Sequence, residues 1–292
     1  MSEIMQFIEA TFKPGVLVFV LANMVTLGLQ AKIGDVVDTF KNKKAMALIV
    51  VWGFVFGPAL AYLITLVFPL AEPYVLAMLI SSVAPMAPFF PISVEKARGD
   101  VSFANAFVVV VIVGTVVFMP LIGPLVIEGL TVSPVALAGR LFLTLLLPLV
   151  IGAAARHYAE TVVTKIFPAV NVLTKIITLV MIIECVVIYG PPVVKMFGSL
   201  AFLAGTIFMV VMALVSYRFG FGLKQNQRSV MALGMLQRNL GGILIVLFAI
   251  PDVDPVVITF TIMWGVWSVP LSFVAARIFA KQAGEPLVGD PT

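Results

Sequence analysis

Charge is what this chain has least of. Its 18 basic and 14 acidic side chains make up 11% of 292 residues, where an ordinary globular domain carries about a quarter. That is too few to cover a water-facing surface of this size, which excludes a soluble domain and a cytoplasmic enzyme. A single cysteine, Cys185, excludes an internal disulfide and a cysteine-based metal cluster, and a single histidine, His157, excludes a histidine site. No GxxxxGK, HExxH, GxSxG or CxxC segment occurs, so ATP hydrolysis and the common hydrolase mechanisms have no support. The segment MSEIMQFIEATFK has two acids and no basic run ahead of its apolar stretch, so a retained helix is expected there rather than a cleaved signal peptide.

What fills the chain is apolar side chain, 62% of it. Residues 45–71 and 101–127 are each 27 residues without one charge. About 20 apolar residues in a helix cross the roughly 30 Å hydrocarbon layer, so either run spans with some tilt. Continuous apolar runs, rather than ten-residue alternating ones, indicate helices and not barrel strands. The expectation is an all-α, polytopic membrane protein of nine transmembrane helices, near 14–31, 45–71, 73–94, 101–127, 134–155, 170–192, 197–217, 229–250 and 255–277. Its 23 Phe and 14 Met are ordinary membrane-core composition.

The net charge of +4 reads as topology and not as nucleic-acid binding. Thirteen of the 18 basic residues follow the first, third, fifth, seventh and ninth spans, among them Lys32, Lys41, Lys43, Lys44, Lys96, Arg98, Arg156, Lys165, Arg218, Lys224, Arg228, Arg277 and Lys281. The other face carries Lys13, Lys195, Glu72, Glu128, Asp252 and Asp254, with Arg140 at its edge. The positive-inside rule then places the amino terminus outside and the carboxyl terminus in the cytoplasm of a cell (inner) membrane.

The third and eighth spans are interrupted. The third, SSVAPMAPFFPISVEKARGD, holds Pro85, Pro88 and Pro91, and a straight helix through three such residues is not expected. Two readings stand: a substrate or ion site made of freed backbone groups with Ser81 and Ser82, or a structural kink packed against neighbours. The eighth, RSVMALGMLQRNLGGILIVLFAI, sets Gln237, Arg238 and Asn239 before Gly241 and Gly242. An arginine at membrane depth costs about 2.5–3.5 kcal/mol and needs a counter-charge. Glu184, a substrate carboxylate or sulfonate, and lipid headgroups are the candidates. Broken helices at matching places in two halves point to a transporter's binding region and an inverted repeat short of one outer helix.

Glu184 lies in an apolar run, with three readings open: a proton-coupling carboxyl, an arginine's partner, or an interfacial residue. Asn23 and Asn105 fit amides that bond across helix interfaces, Asn105 also being a pathway candidate. Lys175 fits a residue that snorkels to the cytoplasmic surface.

These segments together resemble the bile acid:sodium symporter family over essentially the whole chain. VAPMAPFFPISVEKARGD is similar to the family's first crossover segment, with Pro85 and Ala97-Arg98-Gly99-Asp100 matching; ALGMLQRNLGG is similar to the second, and ANMVTLGLQAKIGDVVDTFKNKK to the first conserved helix end. The resemblance implies panel helices near 14–71 and 134–192, core helices near 73–127 and 197–277, two discontinuous crossing helices, and alternating access carrying a small or amphipathic organic anion. It implies a nine-helix version lacking the initial helix of ten-helix relatives. Where sodium-coupled members place Ser-Asn, this chain has Phe90 and Pro91; where they place Glu and Gln, it has Ala232 and Leu236. No cofactor is expected. Sodium lacks its usual side-chain ligands, so a proton-coupled or uncoupled facilitator stands as the alternative, with a membrane enzyme or receptor behind it. The expected partners are the anion and the bilayer.

Overall fold

The computed structural model describes residues 3–86, 89–126 and 133–283, and their regular structure is helical throughout. Seven helices among the described residues are long and apolar enough to cross a membrane. They are α1 (Glu3–Gln30), α3 (Lys43–Val67), α6 (Val101–Val126), α7 (Pro134–Tyr158), α8 (Glu160–Met196), α9 (Leu200–Arg218) and α12 (Pro255–Gln282). Between them stand the short α2 (Ile33–Lys41) and two broken pairs, α4 (Glu72–Ser82) with α5 (Phe90–Lys96) and α10 (Gln225–Leu236) with α11 (Leu240–Leu247).

Local chemistry sets the ends. Asn42 accepts from the Ala45 N–H at 3.1 Å to open α3, Ser133 from Ala136 at 3.2 Å to open α7, and Ser199 from Phe202 at 3.2 Å to open α9. Each satisfies one of the orphan donors at a helix start. Both α3 and α7 contain a widened π-helical stretch, Val51–Phe56 and Phe142–Leu146. Each stretch runs up to a proline, Pro58 and Pro148. A proline has no N–H to continue the i→i−4 ladder, which accounts for a wide turn before it.

The apolar runs found their helices, but helices outlast apolar runs. Residues 170–192 expand to the 37-residue α8, with Lys165 and Lys175 both exposed on it. At about 1.5 Å per residue it far exceeds the hydrocarbon thickness. The linker after the first span holds α2, whose Ile33, Val37 and Phe40 form an exposed apolar stripe at helical spacing. That stripe beside four lysines suits the membrane–water interface.

Packing places the elements around two contacts. In the first, α1 crosses α7 at backbone distance: a Cβ on Gly28 would stand 2.2 Å from Leu149 O, and one on Gly152 would stand 2.5 Å from Val25 O. Only residues without a side chain let the helices approach so closely. The other side of α1 is tied to α8 by hydroxyls and an amide. Thr26 and Thr174 hydroxyls lie 2.8 Å apart, and Asn23 Nδ2 donates to Thr178 Oγ1 at 3.2 Å. Such bonds contribute about 0.6 kcal/mol each in membrane proteins.

In the second, α3 packs on α4, α6 and α9. Phe54 stacks on Phe118 with centroids 4.9 Å apart and fills a notch at Gly114, where a Cβ would stand 2.2 Å from its ring. This aromatic fit holds α3 beside α6.

Candidate functional site

The two breaks meet. Pro85 and Arg238 form an isolated antiparallel bridge, flanked by Asn239 N–H donating to Ala84 O at 2.9 Å and Met86 N–H donating to Gln237 O at 3.0 Å. Met86 also donates to Gly234 O at 2.9 Å and adopts a left-handed φ of 73°. Backbone freed by one broken helix is therefore satisfied by backbone freed from the other, which is what burial at membrane depth demands.

Each half-helix begins with a device of its own. Pro91 does not break a helix, as the proline count implied, but sits in the first turn of α5, where a missing N–H costs nothing. Asn239 caps α11, its Oδ1 accepting from Gly242 N–H at 3.0 Å. Gln237 Nε2 donates to Ser93 Oγ at 3.1 Å, and Ser93 lies 3.1 Å from Ser272 of α12. This tie joins both breaks to the last helix, through two serines that sequence reading had not singled out.

Arg238 is 1% exposed. Its Nη1 donates to Ser82 O at 3.3 Å and its Nη2 to Met235 O, while Phe208 of α9 lies under the guanidinium, 4.8 Å from its ring centroid. Nε has no hydrogen-bond partner among the described residues. Of the three candidate counter-charges, Glu184 does not pair with Arg238. Glu184 instead accepts from Thr11 Oγ1 at 3.4 Å, with its other oxygen buried and unpartnered beside Gly15, in a groove of about 320 Å³ between α1 and α8. The reason is placement on α8, where Glu184 turns to that groove and its neighbour Cys185 to the opposite side.

On that opposite side is a cavity of about 320 Å³. Phe19 of α1 and Thr178, Met181, Ile182 and Cys185 of α8 line one wall; Gly265, Val266, Val269 and Pro270 of α12 line another. Phe89, Arg238 and Leu240 from the two breaks close it. Among the described residues that line it, Arg238 is the one charged side chain and Thr178 the one hydroxyl. A partly open cavity of this size, apolar with few polar groups, falls at the lower end of the about 300–1,000 Å³ common to small-molecule sites.

Residues 17–196 match the sequence profile of the sodium bile acid symporter family. That is well over half of the chain. The protein is a member of the sodium bile acid symporter family. Its apolar helices and that membership make it a multi-pass membrane protein of a transporter family, whose members are not enzymes. No curated protein matches the chain. Within this symporter-family chain the matched region ends with α8, so the first break lies inside it and the break carrying Arg238 lies beyond it.

The remaining nominated residues divide. Ser82, Pro85, Gln237, Arg238 and Asn239 meet at the crossing, with Ser82 Oγ donating to Leu79 O at 2.6 Å. Ser81 is buried, its hydroxyl without a partner among the described residues. Pro91 and Asn105 line a separate cavity of about 50 Å³ with Gln30, whose carbonyl accepts from Asn105 Nδ2 at 3.5 Å. Pro88 lies outside the described residues.

Proposed function

We propose that this protein is a secondary transporter that carries a small or amphipathic organic anion by alternating access. The observation that carries the reading is the cavity itself: apolar walls drawn from α1, α8 and α12, with the buried Arg238 among its lining residues. An apolar body would lie against Phe19, Met181 and Val266, and a single carboxylate or sulfonate would face the arginine. In this reading the chain crosses the membrane nine times, amino terminus outside, counting each broken pair as one crossing. The two interrupted crossings occupy corresponding places in an inverted repeat.

The packing supports a division in which α1, α7 and α8 form the panel and the other crossings form the core, with α3 on the core side. The cavity then lies between the two units, and motion of one against the other exposes it to either face. A second reading, proton coupling, is favoured by Glu184: its Oε2 is buried without a partner and shares the wall residue Met181 with the anion cavity.

The test is uptake into proteoliposomes across a panel of organic anions, with sodium and proton gradients imposed separately. Saturable uptake with counterflow supports a carrier. Unsaturable flux would indicate a channel, and chemical conversion of the anion an enzyme.

A further inference from the structure

Arg238 brings a positive charge to a membrane-depth site where, among the described residues, no carboxylate answers it. Among the described residues the ion pairs are Lys41–Asp38 and Arg156–Glu160, and neither includes it. Its guanidinium turns toward main-chain oxygen. Ser82, which accepts from Nη1, is the last residue of α4, and Met235, which accepts from Nη2, is next to last in α10. Both carbonyls belong to helix C-terminal turns, which lack intrahelical donors and carry roughly half a negative charge. Two such ends, from separate halves of the chain, converge on one point. The Phe208 ring adds a third attractive face. Carbonyl oxygens and a π face around a desolvated centre make a cage for a monovalent cation, and the cation inside it is covalently part of the chain.

We infer that Arg238 is a tethered substitute for a mobile coupling cation, so that the cage at the crossing is permanently filled and requires no sodium. The inference rests on the transport reading for its meaning, but the occupancy of the cage stands on geometry alone. A mobile cation at such a point would do two things: neutralise the converging helix ends and place positive potential beside a bound anion. The guanidinium meets the first directly, and Arg238 is among the residues that line the proposed anion cavity. A second cation in the same cage would meet like charge at close range in a poorly screening medium. The oxygens left for a separate sodium site are sparse: Gln237 Oε1 and Ser81 Oγ are buried and unpartnered, and no carboxylate bonds at the crossing among the described residues.

The experiment is thermal unfolding of the full chain in detergent, at constant ionic strength balanced with choline chloride. Wild type should show no saturable stabilisation by sodium chloride. Arg238→Ala, which empties the cage, should melt lower and regain about 2–4 °C with saturating methylguanidinium chloride, because a ligand held by the folded state raises its midpoint. If Arg238→Ala does not yield monodisperse protein, Arg238→Met takes its place as a variant with an uncharged stem, and the same response is expected. Saturable sodium stabilisation of wild type overturns the inference, as does a folded variant that ignores methylguanidinium. Neither arm measures transport, so failure to find a transported anion leaves this test intact.

Discussion

Pro85 and Arg238 lie opposite each other as an antiparallel bridge at the point where the two broken helices meet. One is there because it lacks an N–H, the other because the broken helices offer carbonyls. The main chain of Arg238 thus pairs with the first break while its side chain binds Ser82 O, so a single residue fastens both interruptions together. Arg238→Gln should therefore lose most transport while protein abundance falls little. Arg238→Lys should recover only part, since a lysine keeps charge but not the planar fork that reaches Ser82 O and Met235 O together. Initial uptake rates normalised to purified protein check this. Near-normal uptake by folded Arg238→Gln would reduce the residue to a structural role.

The cap on α11 makes a separate prediction. Asn239→Ala removes the acceptor for Gly242 N–H and should destabilise the protein by about 0.5–2 kcal/mol, whereas Asn239→Asp keeps an acceptor and should cost less. Thermal unfolding of the two variants side by side separates capping from any loss of the amide's unpartnered Nδ2. Equal losses would remove the cap from the explanation.

Helix approach at Gly28 and Gly152 is a third point of control. Gly152→Val places side-chain atoms where Val25 O now lies, and overpacking of this kind costs about 1–3 kcal/mol. Gly139→Ala on the same helix meets nothing within 4 Å and should leave the melting midpoint unchanged. A Gly152→Val protein as stable as Gly139→Ala would mean that α1 and α7 do not cross as described.

Hydropathy and proline made much of this legible in advance. Charge-poor apolar runs marked the seven long helices, and Pro85 with the 237–239 triplet marked both breaks. Their meeting was not legible, because backbone pairing between distant segments leaves no trace in residue type. The partners of Arg238 were missed for the same reason: two are carbonyls, and Phe208 is one of 23 phenylalanines with nothing in its local sequence to single it out. Glu184 was read as a possible partner because opposite charges attract; helical facing turned it to Thr11 instead. The stripe of α2 lay in a segment too polar overall to register as a helix by apolar length.

Orientation follows from the basic residues. Single cysteines at Ser2 and Thr292, in a Cys185→Ala background, should label from outside and from the cytoplasm respectively. Protection of both from the outside reagent would contradict nine crossings with an external amino terminus.

The central claim is that an organic anion crosses through a cavity whose positive charge is built in. Its most direct test is initial uptake into proteoliposomes against sodium concentration, at fixed pH and membrane potential. Saturable, counterflow-competent uptake should persist when choline replaces sodium. Strictly sodium-dependent uptake with a Hill coefficient near ~2, the cooperative signature of several ion sites, would contradict it.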